Sequence, residues 1–235
     1  NPVIRQDLIP LTSHHEILDD RGISVETCEL LGIGYLAQGR SMLRERIIFQ
    51  IADARSNSDG EEERVILSHI GRAVKEEQEP KYLFYEGFHK SVELYGQEII
   101  KLHEDAREQA RELGYLLVTE GPFDVAKAFE AGFRNVVGTL GSSLSEHQAD
   151  KLKGMADDLA IDQILLAYDR DDAGRLGAEK AVELLESKGL KVRSFDWEAP
   201  LGRTKEGPVS IPTQINDLSD LSVEQIQWLR GRKLL

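Results

Sequence analysis

The residues best placed to do chemistry are acids that follow apolar runs. Glu120 comes directly after Tyr115-Leu-Leu-Val-Thr119, and Asp169, Asp171 and Asp172 come after Ile164-Leu-Leu-Ala-Tyr168. Residues two apart in an extended segment point the same way, so Asp169 and Asp171 converge while Arg170 turns elsewhere. Carboxylates gathered in one crevice repel each other and rise in pKa unless a cation sits among them. Mg²⁺ suits such a set, because it takes a few carboxylates, keeps several waters and leaves positions open for substrate phosphate. A later pair, Asp217 and Asp220, is placed to join from the loop after Phe195. Taken singly, a strand-end acid reads well as a cap on the next helix, favoured by the positive end of its dipole. Asp172 is assigned that role before Ala173. The combination of strand, Glu, Gly with strand, Asp, x, Asp in consecutive units favours function over capping.

The elements that must hold these acids follow from periodicity and punctuation. Strands are expected at Tyr115 to Thr119, Asn135 to Thr139 and Ile164 to Tyr168, with an alternating edge strand at Leu190 to Phe195. Between them, Pro122 opens a helix that ends before Gly132, and Ser145 with Gln148 forms a capping box for a helix through Leu159. A third helix runs from Ala173 to Ser187, stopped near Gly189. This alternation predicts an α/β fold with a mostly parallel sheet and helices on both faces. In such sheets the working residues sit at the carboxyl ends of the strands.

The first hundred residues have a different texture. Ile17 to Leu31 reads as helical, with Ser24 as an N-cap and Gly32 as a stop. Arg46 to Ile51 and Arg64 to Ile70 predict short strands joined by a solvated loop, Ala54 to Glu63. The expected division is a small α+β subdomain at 1–97, a connecting helix at 98–114, an α/β domain at 115–199, and a completing loop and helix at 200–235. In the last segment Pro200 to Pro212 reads as loop, and Ser222 with Gln225 caps a final helix containing Trp228.

At 235 residues, 40% hydrophobic and 30% charged, the chain has the balance of a globular protein with a real core. No apolar run is long enough to cross a bilayer, and no secretory signal is legible. The single Cys28 excludes an internal disulfide and a cysteine-built zinc site, and it fits a cytoplasmic protein. The chain opens on Asn1 rather than Met, so a piece of a longer protein is expected. The net charge of −13 argues against a general phosphate-backbone binder, but a metal enzyme carries excess acid because its ions restore positive potential locally.

Three stretches in this order, VTEGPFDV (Val118 to Val125), GTLGSSLSEHQ (Gly138 to Gln148) and AYDRDDAG (Ala167 to Gly174), resemble the Toprim domain shared by topoisomerases and primases. That order is far more specific than a lone DxD. Upstream, RGISVETCELLGIGY (Arg21 to Tyr35), RERIIFQIAD (Arg44 to Asp53), GRAV (Gly71 to Val74), PKYL (Pro80 to Leu83) and FHKSVELYG (Phe88 to Gly96) are similar to the polymerase core of bacterial DNA primases. The resemblance covers nearly the whole chain from about His15. It implies a Toprim-type parallel sheet flanked by helices, preceded by a smaller α+β subdomain. It implies that Glu120, Asp169 and Asp171 are catalytic acids holding Mg²⁺ or Mn²⁺, with Asp217 as a later metal-binding acid and Asp220 as its rival. Arg72, Lys81 and Lys90, and with less weight Arg44 and Arg46, are implied to bind template and nucleotide phosphates. For Arg44 and Arg46 a solvated basic residue on a strand edge is an equal reading.

The chain departs from the family in two places. Only Phe84-Tyr-Glu-Gly87 stands where primases carry a longer loop between KYL and FHK, and Asn216-Asp-Leu-Ser-Asp220 spaces its acids differently. The family's zinc-binding and helicase-binding modules are not in these residues.

The function so implied is a primase-like nucleotidyltransferase that makes short RNA primers on single-stranded DNA from ribonucleoside triphosphates during DNA replication. A replicative helicase or other replication protein would be its partner, and a membrane would not. The rival readings are a Toprim metal-dependent nuclease, which activates water with the same acids, and a noncatalytic primase-derived module that binds DNA or a partner. A haloacid-dehalogenase-type phosphatase also uses DxD after a strand but needs a following threonine, and here Asp172-Ala173 follows.

Overall fold

A computed structural model describes residues 1–3, 11–199, 201–204 and 207–235, with backbone only for 202–204 and 207–209. Pro200 and residues 205 and 206, which fall in the expected loop, lie outside the described residues.

The N-terminal half is built on an antiparallel sheet. Its strands are β1 (Ile33–Tyr35), β2 (Arg46–Ser56), β3 (Glu62–Ala73) and β4 (Tyr82–Phe84), paired in that order. β2 and β3 form a long hairpin in which Arg46 faces Ala73 and Ser56 faces Glu62, interrupted by an irregularity at Ile51/Ala52. The strands run well past the apolar cores that predict them, because a paired antiparallel ribbon continues into solvent with polar residues.

The region expected to be helical, Ile17 to Leu31, holds two helices, α1 (Glu16–Asp20) and α2 (Val25–Leu31), the second with the expected Ser24 cap and Gly32 stop. Gly22 turns the chain with φ +62, and the Ser24 side chain accepts from Thr27 N to start α2 afresh. The connecting helix is likewise two, α3 (Gln97–Leu102) and α4 (Glu104–Leu113), broken at the extended residue His103. α3 packs on β2 and β3, whereas α4 lies along strand β5 (Tyr115–Thr119). One straight helix would not serve both surfaces.

From β5 onward the chain alternates: α5 (Pro122–Glu130), β6 (Val136–Gly138), α6 (Glu146–Leu159), β7 (Gln163–Ala167), α7 (Asp172–Ser187) and β8 (Lys191–Ser194). The strands form a parallel sheet in the order β6-β5-β7-β8, flanked by helices. Thus the α/β, Toprim-type architecture is present. The expected loop after it contains a short hairpin, β9 (Gly202–Thr204) and β10 (Gly207–Val209), too brief to leave a pattern in sequence. The chain closes with α8 (Val223–Gly231), capped by Ser222 and Gln225.

One hydrophobic core passes through both sheets. Phe49 of β2 meets Phe123 of α5 edge-on, with ring centres 5.0 Å apart, and meets Tyr95 at 5.9 Å. Residues 89–95 form a strap along the edge of the parallel sheet. Tyr95 exchanges both backbone hydrogen bonds with Gly138, and the Gln148 amide donates to the carbonyls of Lys90, Glu93 and Thr139. No helix among the described residues is long and apolar enough to cross a membrane.

Candidate active site

Strand register places the acids. Thr119 pairs with Ala167 on one side and Gly138 on the other, so β5 and β7 end level and their next residues share one edge. There the Asp169 amide donates to Glu120 Oε1 at 3.0 Å. The first turn of α7 lies against them: a Cβ at Gly174 would come within 2.2 Å of the Asp169 carbonyl and 2.7 Å of Glu120 Oε1. Only glycine lets the helix start so close.

Two more acids complete this wall. Asp124 in the first turn of α5 is 5% exposed, accepting from Gly121 N at 2.9 Å and from Ser219 N at 3.1 Å. Asp217 faces the same cleft and accepts from the Ser219 hydroxyl at 2.8 Å and Asp220 N at 2.9 Å. Asp220 does not line that cleft, and its carboxylate accepts from Asn216 N. Between the two rivals, the structure therefore brings Asp217 to the other acids.

The helix cap differs from expectation. Asp171 caps α7, its Oδ1 accepting from Gly174 N at 2.7 Å, whereas Asp172 is the first helical residue, turned to solvent and paired with Arg175. The cap therefore lies one residue before Asp172, because the side chain that accepts from an amide three positions on is that of Asp171. Asp171 does not line the cleft, but its charge still bears on Glu120 and Asp169.

Burial and mutual repulsion dominate the electrostatics. Glu120 is pushed up to about 7 by burial first, then by the Asp171 and Asp217 charges, against the pull of the Asp169 amide. Asp169 is also pushed up to about 7 by burial, then by Glu120, Asp217 and Asp171, while Lys81 draws it down. Asp124 is held well above the ordinary carboxylate range by burial and then by Asp217 and Asp169. Among the described residues no three His, Cys, Asp or Glu side chains converge into a metal cage. A hard divalent ion needs no such cage, since Mg²⁺ is held through one or two carboxylates, with water and substrate phosphate for the rest. An all-oxygen donor set whose members drive each other's pKa upward fits that ion.

The same cleft carries a basic set from other elements. Arg72 pairs with Tyr82 across β3 and β4, and Lys81 precedes that pair, its carbonyl accepting from Ala73 N at 2.8 Å. Lys90 comes from the strap and donates to the Leu140 carbonyl at 3.2 Å. Arg72, Lys81 and Lys90 thus meet Glu120, Asp169 and Asp217 around one cleft of about 290 Å³.

Arg44 and Arg46 are not brought there. Arg44 is exposed and sits 3.4 Å from its neighbour Glu45. Arg46 is buried, donating to the Pro80 carbonyl at 2.8 Å and the Glu79 carbonyl at 3.2 Å. It braces the turn that delivers Lys81 rather than offering its charge to a ligand. A Cβ at Gly71 would press to 2.9 Å from the Arg46 chain, so the glycine makes room for that brace.

Two charged cleft residues, Asp124 and Arg21, lie outside the expected site set. Asp124 lies inside VTEGPFDV itself, one helical turn from Glu120, and its position was a usable signal. Arg21 lines the cleft from far upstream, donates to the Ser219 hydroxyl at 2.7 Å and stacks 4.5 Å from the Phe123 ring centre. Nothing local marks an arginine before a glycine turn as part of a site.

Comparison with known proteins agrees with this geometry. Residues 114–196 match the Toprim domain family. The chain is 32% identical over 156 residues to the DNA primase of Aquifex aeolicus, covering 65% of this chain and 28% of that protein. It is 33% identical over 175 residues to the DNA primase of Pseudomonas putida, covering 73% of this chain and 23% of that one. The chain therefore spans about a quarter of these relatives' length. The crystal structure of the Aquifex aeolicus primase zinc-binding and RNA polymerase domains superimposes with a TM-score of 0.68 at 23% identity, over 93% of this chain and 54% of that one. A DNA primase domain from Pseudomonas aeruginosa gives 0.57 at 27% identity, over 76% and 62%. The chain carries a Toprim domain and is related to the bacterial DNA primases.

Proposed function

We propose that this chain is the polymerase core of a primase-type nucleotidyltransferase, joining ribonucleoside triphosphates into short primers on single-stranded DNA. The observation that carries the reading is one cleft lined by Glu120, Asp169 and Asp217 together with Arg72, Lys81 and Lys90. Phosphoryl transfer asks for that pairing, because its transition state spreads negative charge over oxygens that cations must hold in line.

One or two of Glu120, Asp169 and Asp217 would hold Mg²⁺ or Mn²⁺ directly and the rest would act through its waters, with Asp171 adding charge from the α7 cap. When bound, the ion supplies charge neutralisation and alignment of an attacking hydroxyl. Arg72 and Lys81 take the triphosphate, and Arg21, fixed on Ser219 and Phe123, extends that grip. Lys90, anchored on Leu140, adds a further cation for phosphate. Single-stranded template follows the same basic wall, where lysines and arginines bind phosphate without reading sequence.

The test is de novo oligoribonucleotide synthesis on single-stranded DNA with Mg²⁺ or Mn²⁺, comparing the chain with its Glu120→Gln variant. Synthesis that Glu120→Gln abolishes supports the reading. Metal-dependent cleavage without incorporation replaces it with the nuclease, and no metal binding at millimolar Mg²⁺ or Mn²⁺ replaces it with a noncatalytic module.

A further inference from the structure

The acids and cations of the cleft account for a metal ion and for phosphates, but a nucleotide also carries a flat apolar base that needs a surface. Three aromatic residues line the cleft: Tyr82, Phe84 and Phe123. Phe123 is already occupied, with the Arg21 and Arg72 guanidinium groups 4.5 and 5.1 Å from its ring centre and Phe49 against it edge-on. Tyr82 is half-buried like Phe84, but Arg72 is its partner across the strands and the charge that bears most strongly on its hydroxyl.

Phe84 differs from both. It is half-buried at the end of β4, in the short stretch Phe84-Tyr-Glu-Gly87. Its ring runs nearly parallel to Phe88, with 9° between planes and 6.2 Å between centres, a separation at which rings are offset rather than covering one another. Lys90 Nζ stands over the Phe84 ring at 5.6 Å from its centre, a single and longer approach than the two guanidinium groups make on Phe123. Lys81 and Lys90, on either side of Phe84 in sequence, line the cleft with it. A π surface beside two phosphate-binding lysines is the composition with which proteins hold single nucleotides and single strands without reading sequence.

We propose that Phe84, backed by Phe88, is the stacking surface for a nucleobase at the mouth of the cleft. The base comes either from the incoming ribonucleotide or from the template strand. This inference rests on the proposed nucleotidyltransferase reading for the identity of the ligand, but its test does not depend on catalysis.

The test measures binding, in Mg²⁺, of ATP against inorganic tripolyphosphate, and of oligothymidylate against an abasic oligonucleotide of the same length. The proteins are the unaltered chain, Phe84→Ala, Phe84→Leu and Phe84→Trp, each checked for an unchanged melting profile. Stacking predicts that Ala and Leu weaken a base-bearing ligand by roughly 5- to 150-fold while leaving its base-free partner unchanged, and that Trp retains affinity. A loss confined to ATP assigns the surface to the incoming nucleotide, and one confined to oligothymidylate assigns it to the template. Equal losses with and without the base, full affinity in Phe84→Leu, or no binding of either base-bearing ligand by the unaltered chain overturn the proposal. If Phe84-dependent binding is found but no primer is made, the polymerase reading fails and the stacking surface stands.

Discussion

The two walls of the cleft are built by opposite strategies. The acidic wall sits at the carboxyl ends of buried parallel strands, its positions set by register and by the close start of α7. The basic wall sits on the edge of an antiparallel sheet, on a turn and on a strap, and needs separate braces: Arg46 behind Lys81, Leu140 beneath Lys90. Rigid placement of like charges costs folding energy but leaves the donors preorganised. Cations on separately braced edge segments avoid that crowding of like charge and suit a ligand of variable sequence. The chain as a whole carries −13, yet in the cleft four basic side chains, Arg21, Arg72, Lys81 and Lys90, match four acidic ones, Glu120, Asp124, Asp169 and Asp217.

The largest expected effect breaks the acidic wall. Glu120→Gln lowers primer synthesis by ~100-fold or more, since a metal-held charge stabilises the transition state by several kcal/mol. The same variant melts higher than the parent at pH 8 without metal, because one of the repelling charges is gone. A catalytic loss with equal or lower melting temperature would show that the wall is not strained.

The basic wall breaks differently. Arg46→Met strands two carbonyls and lowers unfolding free energy by about 2 kcal/mol or more in denaturant titrations, whereas Arg44→Ala changes it by less than about 0.5 kcal/mol. Lys81→Ala leaves stability alone, weakens single-stranded DNA binding at every sequence, and flattens the log–log salt dependence by about 0.7.

Protonation sharpens the comparison further. Glu120 and Asp169 titrate near 7 when folded, against ordinary values of 4.5 and 3.8, so between those limits the folded chain holds protons the unfolded chain has released. Metal-free stability therefore falls as pH rises from about 4 to about 7, and millimolar Mg²⁺ restores it above 7. Melting curves in chelator and in Mg²⁺ across that range check the sign. The smallest effects separate neighbours: Asp171→Ala removes a cap and costs about 1 kcal/mol, while Asp172→Ala, losing an exposed pair, stays within about 0.5 kcal/mol.

Most of the parallel half was legible because its signals are local. Tyr115 to Thr119, the Ser145 capping box and the stop at Gly189 depend on neighbours in sequence, and each element stands within a residue or two of its expected place. The Glu120 and Asp169 edge followed from the same logic. What sequence could not carry was set by distant packing. His103 breaks a helix because its two halves face different sheets, and Arg21 reaches the cleft through a partner 198 residues away. Arg46 was misjudged because charge alone does not reveal whether a guanidinium faces solvent or the carbonyls of a buried turn.

The strap of residues 89–95 decides how the molecule can be divided. It supplies the hydrogen-bonding partner for the outer side of β6, through Tyr95 and Gly138. A fragment begun at Tyr115, where the domain pattern starts, would expose that edge as a template for pairing with other chains. A well-behaved Toprim fragment has to begin upstream of His89.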